Sequence, residues 1–115
     1  MLCNNRNPMM QKPSNDPVLA RFRAAVAELY GDRVERVVLF GSRARGDAQP
    51  DSDYDVAMFL RGMGDRFAEM DRLADLSTVI LDETGEFIHA MPYRAGSYDE
   101  RMPLMHEVRA DGIDL

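Results

Sequence analysis

Apolar positions along this chain switch between a helical period and short unbroken runs. After Asp16 and Pro17, a cap and a first-turn proline, Val18, Leu19, Phe22, Val26 and Leu29 recur at helical spacing up to Gly31. That spacing predicts a first helix of about fourteen residues. The pattern then changes: Val34–Phe40 (VERVVLF) is rich in β-branched and aromatic residues, and Tyr54–Leu60 (YDVAMFL) is a second apolar run. Each predicts a short strand, with Arg61 to Gly64 as a glycine-rich turn after the second.

Helical spacing returns over about Asp65–Glu83, where Phe67, Met70, Leu73, Leu76, Val79 and Ile80 fall on one side. The charged residues of that helix are expected to face water, and Gly85 is expected to stop it. Strand three is predicted at Phe87–Tyr93, ended by Pro92 and a turn at Arg94-Ala95-Gly96. Ser97 with Glu100 then predicts a capping box for a last helix running to about Ala110, offset by Pro103 and capped at Gly112. The order helix, strand, turn, strand, helix, strand, helix predicts an α/β (α+β) layer, a small mixed β-sheet packed against helices.

The segment between the first two strands carries the chemistry. Gly41 ends the first strand and lets the backbone pass close to a ligand; Ser42 follows. If residues 42–45 turn helical, the N–H groups of that first turn face outward and attract phosphate oxygens, with Arg43 and Arg45 adding charge. Ten residues, Arg43 to Ser52, lead through a turn at Pro50 to Asp53-Tyr54-Asp55. In an extended chain Asp53 and Asp55 point to the same side, and paired carboxylates suit a hard divalent cation such as Mg2+ that also binds phosphate. An isolated Asp-x-Asp most often marks a solvated loop or a helix start. Here the pair opens an apolar strand and lies beyond a strand and a Gly-Ser turn, and that combination favours a nucleotide and metal site.

Three other motifs fail. Asp51-Ser-Asp53-Tyr-Asp55 begins like an EF-hand loop, but Val56 stands where glycine is required and Gly62 where a bidentate glutamate is required. A Walker loop needs Gly-Lys-Ser/Thr, and the single lysine is Lys12. Arg45-Gly46-Asp47 spells an adhesion tripeptide by coincidence.

In GSRARGDAQPDSDYD the chain resembles the DNA polymerase β-like nucleotidyltransferase superfamily, whose signature is Gly-Ser, roughly ten residues, then Asp-x-Asp. Its small size makes it similar to the minimal nucleotidyltransferases, stand-alone domains often encoded beside a HEPN-domain partner as toxin–antitoxin pairs. The resemblance implies that Asp53 and Asp55 hold Mg2+, and that Gly41, Ser42 and Arg43 bind the phosphates of ATP or another NTP. It further implies transfer of the nucleoside monophosphate to a hydroxyl on a partner protein, such as a tyrosine of a HEPN toxin. Catalytic members usually carry a third carboxylate on the next core strand. Strand three offers Phe87 or His89 there, and Glu86, at its start, would serve only through an irregular register. His89 could act as a base near neutral pH, although a lone strand histidine is more often packed and hydrogen-bonded. The missing acid favours an alternative, a catalytically weak or inactive antitoxin that keeps the fold and acts by contact. Modification of a small molecule such as an aminoglycoside fits less well, because those enzymes generally carry a further domain for the acceptor.

Composition narrows the partners. A chain of 115 residues allows a nucleotidyltransferase domain over residues 16–115 and, ahead of it, a disordered tail over residues 1–15 that lacks a secretory pattern. The net charge of −6 and pI of about 4.8 argue against a broad face for long nucleic acid. Cys3 is the single cysteine, so no internal disulfide is expected, and no apolar run approaches a membrane span; a cytoplasmic protein is expected.

Overall fold

Asp16 accepts hydrogen bonds from the N–H groups of Val18 (2.8 Å) and Leu19 (3.4 Å), and with Pro17 in the first turn it starts helix α1, Pro17–Tyr30. The structure, a computed structural model, describes residues 16–49 and 52–115; the tail expected over residues 1–15 and the turn expected at Pro50 lie outside them. The buried stripe of α1 is Leu19, Phe22, Val26 and Tyr30. Leu29, expected inside, is 46% exposed, because the stripe continues from Val26 to the residue four further on.

Strand β1, Val34–Phe40, runs antiparallel to β2, Tyr54–Leu60, and the chain between them holds the short helix α2, Ser42–Arg45. Helix α3, Arg66–Thr84, capped by Asp65, crosses over to β3, Ile88–Arg94, which pairs parallel with β2. After helix α4, Pro103–Asp111, the two residues of β4, Ile113–Asp114, pair antiparallel with β1. The sheet order is β3-β2-β1-β4, so the fold is the small mixed sheet with helices that the pattern predicts, with β4 added.

Period-two alternation in β2 divides the core. Tyr54, Val56, Met58 and Leu60 pack with Leu19, Phe22, Leu73 and Ile80 of α1 and α3, while Ala57 and Phe59 pack with Met105 and Val108 of α4. By the same parity Asp55 belongs to the α4 face. The Ser77 hydroxyl donates to the Ile88 carbonyl at 2.6 Å and fastens α3 to β3.

Four local expectations are corrected. The charged residues of α3 do not all face water: Glu69 is buried between Arg33 and Arg72, whose guanidinium groups offset its charge, whereas Phe67 is 76% exposed and Val79 is also exposed. Pro92 lies inside β3 rather than ending it, which an edge strand tolerates because one row of its backbone groups has no ladder to serve. Ser97–Asp99 forms only a 3-10 turn with no side-chain cap, so the expected capping box is absent. The last helix starts instead at Pro103, whose missing N–H costs nothing in a first turn.

Candidate functional site

Phe40, the last residue of β1, stands opposite Asp55 in the antiparallel register. The chain then turns at Gly41, whose φ of 76° and ψ of −159° lie in a region essentially reserved for glycine. A Cβ at this position would lie 2.5 Å from Oδ2 of Asp55, so glycine is required by both torsion and space. The Gly41 carbonyl accepts from the N–H groups of Ala44 (3.1 Å) and Arg45 (3.0 Å), which folds residues 42–45 into α2. Helix α2 ends at Gly46, where φ is 86° and the N–H bonds the Ser42 carbonyl at 2.9 Å. The Gly-Ser turn thus lies directly on the carboxylate of Asp55.

Arg43 fastens the other end of the segment. Its Nε and Nη2 donate to the Ser52 carbonyl at 3.1 and 2.8 Å, its guanidinium lies 4.2 Å from the centre of the Tyr54 ring, and Nη2 is 3.4 Å from Oε1 of Glu86. One planar fork therefore holds the residue before Asp53, the first residue of β2 and the approach to β3. The Tyr54 hydroxyl donates to Oδ2 of Asp16 at 2.8 Å, tying the same point to the start of α1. Burial first, and then that hydrogen bond to Asp16, push the Tyr54 phenol above its ordinary pKa.

Asp53 is exposed just ahead of β2, and Asp55 is half-buried one pleat further in. Burial pushes the Asp55 carboxyl above its ordinary pKa; His89 opposes that shift, while the charges of Asp53 and, more weakly, Glu107 add to it. His89 is the partner of Asp55 in the parallel register, and its Nδ1 lies 3.8 Å from Oδ1 of Asp55. It is not the packed strand histidine of the bland expectation, since its side chain is 56% exposed. Glu86 pairs with Arg43 instead of joining the aspartates, and the neighbouring Phe87 carbonyl accepts from the Tyr54 N–H at 3.0 Å.

Sequence reasoning missed the contribution of α4. Arg45 Nη1 reaches Oδ2 of Asp111 at 3.2 Å, so the flank of α4 that carries Asp111 faces α2. Glu107, one turn earlier, lies on the same flank, in keeping with the reach of its charge to Asp55. The four-residue spacing of these acids was the only signal in the sequence.

Asp53 and Asp55 supply the oxygen donors that hard cations prefer, with Asp55 held against a turn that admits no side chain. Among the described residues no three acidic, imidazole or thiol groups gather at metal-ligand distance, so phosphate and water oxygens would have to complete a coordination shell. No helix among the described residues is long and apolar enough to cross a membrane.

Comparison with known proteins adds to this geometry. The family model of the nucleotidyltransferase domain matches residues 19–98. Two similar proteins of Methanocaldococcus jannaschii both carry the name "putative protein adenylyltransferase". One is 32% identical over 78 residues, 68% of this chain and 72% of the relative. The other is 37% identical over 46 residues, 40% of this chain, and the match spans only 46% of that relative's length. Among solved structures, a toxin-antitoxin crystallised with AMP-PNP is similar with a TM-score of 0.62 at 16% identity, covering 83% of this chain and 69% of that one. A "putative nucleotidyltransferase" from Sulfolobus solfataricus gives 0.60 at 22% identity, covering 84% of this chain and 75% of the other. At these identities the likeness to the two structures is one of fold.

Proposed function

The chain belongs to the nucleotidyltransferase domain family, and from that premise we propose that it moves a nucleoside monophosphate from ATP to a hydroxyl on a partner protein. The observation that carries this reading is the contact of Gly41 with Asp55, which brings the turn suited to phosphate onto the acid suited to a cation. Gly41 and Ser42 bind the triphosphate through backbone N–H groups and the Ser42 hydroxyl. Arg43 contributes positive charge beside it and holds Asp53 in place through Ser52. Asp53 and Asp55 would hold a divalent cation, with Mg2+ as the ordinary choice, and when bound it would supply positive charge against the phosphates and the reacting oxygens. In the transfer the acceptor oxygen forms a bond to the α-phosphorus, the bond from that phosphorus to pyrophosphate breaks, and the hydroxyl proton passes to a base or to water.

The names of the two archaeal relatives support ATP as donor and protein as acceptor. The toxin-antitoxin of similar fold, solved with AMP-PNP, supports a toxin as that protein, and a HEPN-domain toxin in the cytoplasm is the partner proposed. The test incubates the chain with ATP labelled at the α-phosphate, Mg2+ and the candidate partner. Label on a partner tyrosine that disappears with Asp53→Asn supports the enzyme.

A second reading, an antitoxin acting by contact without turnover, is favoured by one observation: the residue paired with Asp55 on β3 is His89, not an acid. Absence of label, with a tight complex that survives Asp53→Asn, would select it and reject the enzyme for that partner.

A further inference from the structure

We infer that His89 is a metal ligand alongside Asp55, and that it biases the site toward Mn2+ over Mg2+. The inference rests on the nucleotidyltransferase reading and assigns a role to a residue that reading leaves idle. Three observations carry it. Asp55 and His89 are direct partners on adjacent parallel strands, so their side chains leave the sheet on the same face. Nδ1 of His89 and Oδ1 of Asp55 stand 3.8 Å apart, too far for a hydrogen bond. Two ligands that each sit about 2.1 Å from one ion are separated by at most about 4.2 Å, so this gap has the size that a shared cation spans. The imidazole is also 56% exposed, open to an ion arriving with a nucleotide.

Chemistry sets the preference. Mg2+ seeks hard oxygen donors in near-ideal octahedral geometry and gives up its water reluctantly. An imidazole is a poor exchange for that water, whereas a first-row transition ion accepts nitrogen and carboxylate together. A carboxylate at residue 89 would serve Mg2+; a histidine there moves the balance to Mn2+, with Asp55, phosphate oxygens and water completing the shell.

The test uses the full chain with α,β-methylene-ATP, a donor that cannot be cleaved at the α-phosphate, and reads metal binding without turnover. Calorimetry gives the Mn2+ and Mg2+ affinities. Electron spin-echo modulation of bound Mn2+ reports nitrogen directly attached to the ion. Because the chain has two histidines, His106→Ala is the control. The expected result is a nitrogen modulation in the parent chain and in His106→Ala that is lost in His89→Ala. Even residues that only orient a ligand cost about 10- to 100-fold in metal affinity when removed, so His89→Ala should weaken Mn2+ at least about tenfold and Mg2+ far less. His89→Asp should reverse the preference. Persistence of the modulation in His89→Ala, or equal Mn2+ affinity, overturns the inference. If Asp55→Asn abolishes metal binding while His89→Ala does not, this inference fails and the nucleotidyltransferase site stands. If Asp53→Asn and Asp55→Asn both leave nucleotide and metal binding unchanged, both fail.

Discussion

Gly41 and Asp55 touch: a carboxylate oxygen of Asp55 lies where the side chain of any other residue at position 41 would begin, 2.5 Å from an ideal Cβ. The contact joins the end of β1 to the start of β2 and brings together a glycine and an aspartate fourteen positions apart in the sequence. Gly41→Ala should therefore fail twice. Its backbone torsions should cost about 1–3 kcal/mol of stability, and the new methyl group should push Asp55 out of position. Denaturant unfolding should show the first loss. Calorimetry with ATP and Mg2+ should show loss of cation-dependent binding even under conditions where the variant is folded; undiminished affinity in a folded Gly41→Ala would dismiss the contact as a feature of the site.

Arg43 makes a different prediction because one guanidinium serves several neighbours. Lysine keeps the charge but loses the fork on the Ser52 carbonyl and the planar stack on Tyr54. Arg43→Lys should lower stability by about 1–2 kcal/mol, the size of a hydrogen bond to a charged group plus a partly exposed cation–π contact. It should also weaken binding of the cation alone, since Ser52 carries Asp53. A variant that binds the cation normally and only the nucleotide poorly would assign Arg43 to phosphate contact instead.

How far these features can be read from the chain follows from their range. Both β1 and β2 are readable because each apolar run stops at a local marker, Gly41 for one and Arg61-Gly62 for the other. Gly41, Ser42, Asp53 and Asp55 are readable because their spacing is local. The burial of Glu69 is not, since it depends on Arg33 arriving from the turn before β1. Likewise, β4 has only two residues and no period to detect. His89 can be listed as a possibility, but its place opposite Asp55 follows from the parallel register that α3 sets, and Asp111 meets Arg45 only because α4 docks on the sheet.

Tyr30 offers a test of the core independent of the site. Its hydroxyl is buried and reaches no hydrogen-bond partner among the described residues, while burial and then the nearby Glu69 charge push its pKa up to about 12. A buried polar atom left unpaired costs free energy, so Tyr30→Phe should stabilise the fold by about 1 kcal/mol. In a domain of this size that corresponds to a rise of roughly 4–8 °C in Tm. A fall in Tm would mean that the hydroxyl has a partner in solution, with Glu69 the first to examine by Glu69→Gln.

Ser42 separates phosphate binding from helix capping. A serine at the start of a helix usually earns its place by capping, yet the cap position of α2 is Gly41 and the helix has no side-chain cap. Ser42→Ala should then leave the thermal transition unchanged. Loss of one hydrogen bond to a charged phosphate should weaken ATP binding by about 1–2 kcal/mol, which is roughly 5- to 30-fold in Kd. Calorimetry with Mg2+ present measures the second quantity and circular dichroism the first. Unchanged affinity would remove the hydroxyl from the nucleotide site, and a lowered melting temperature would make it structural.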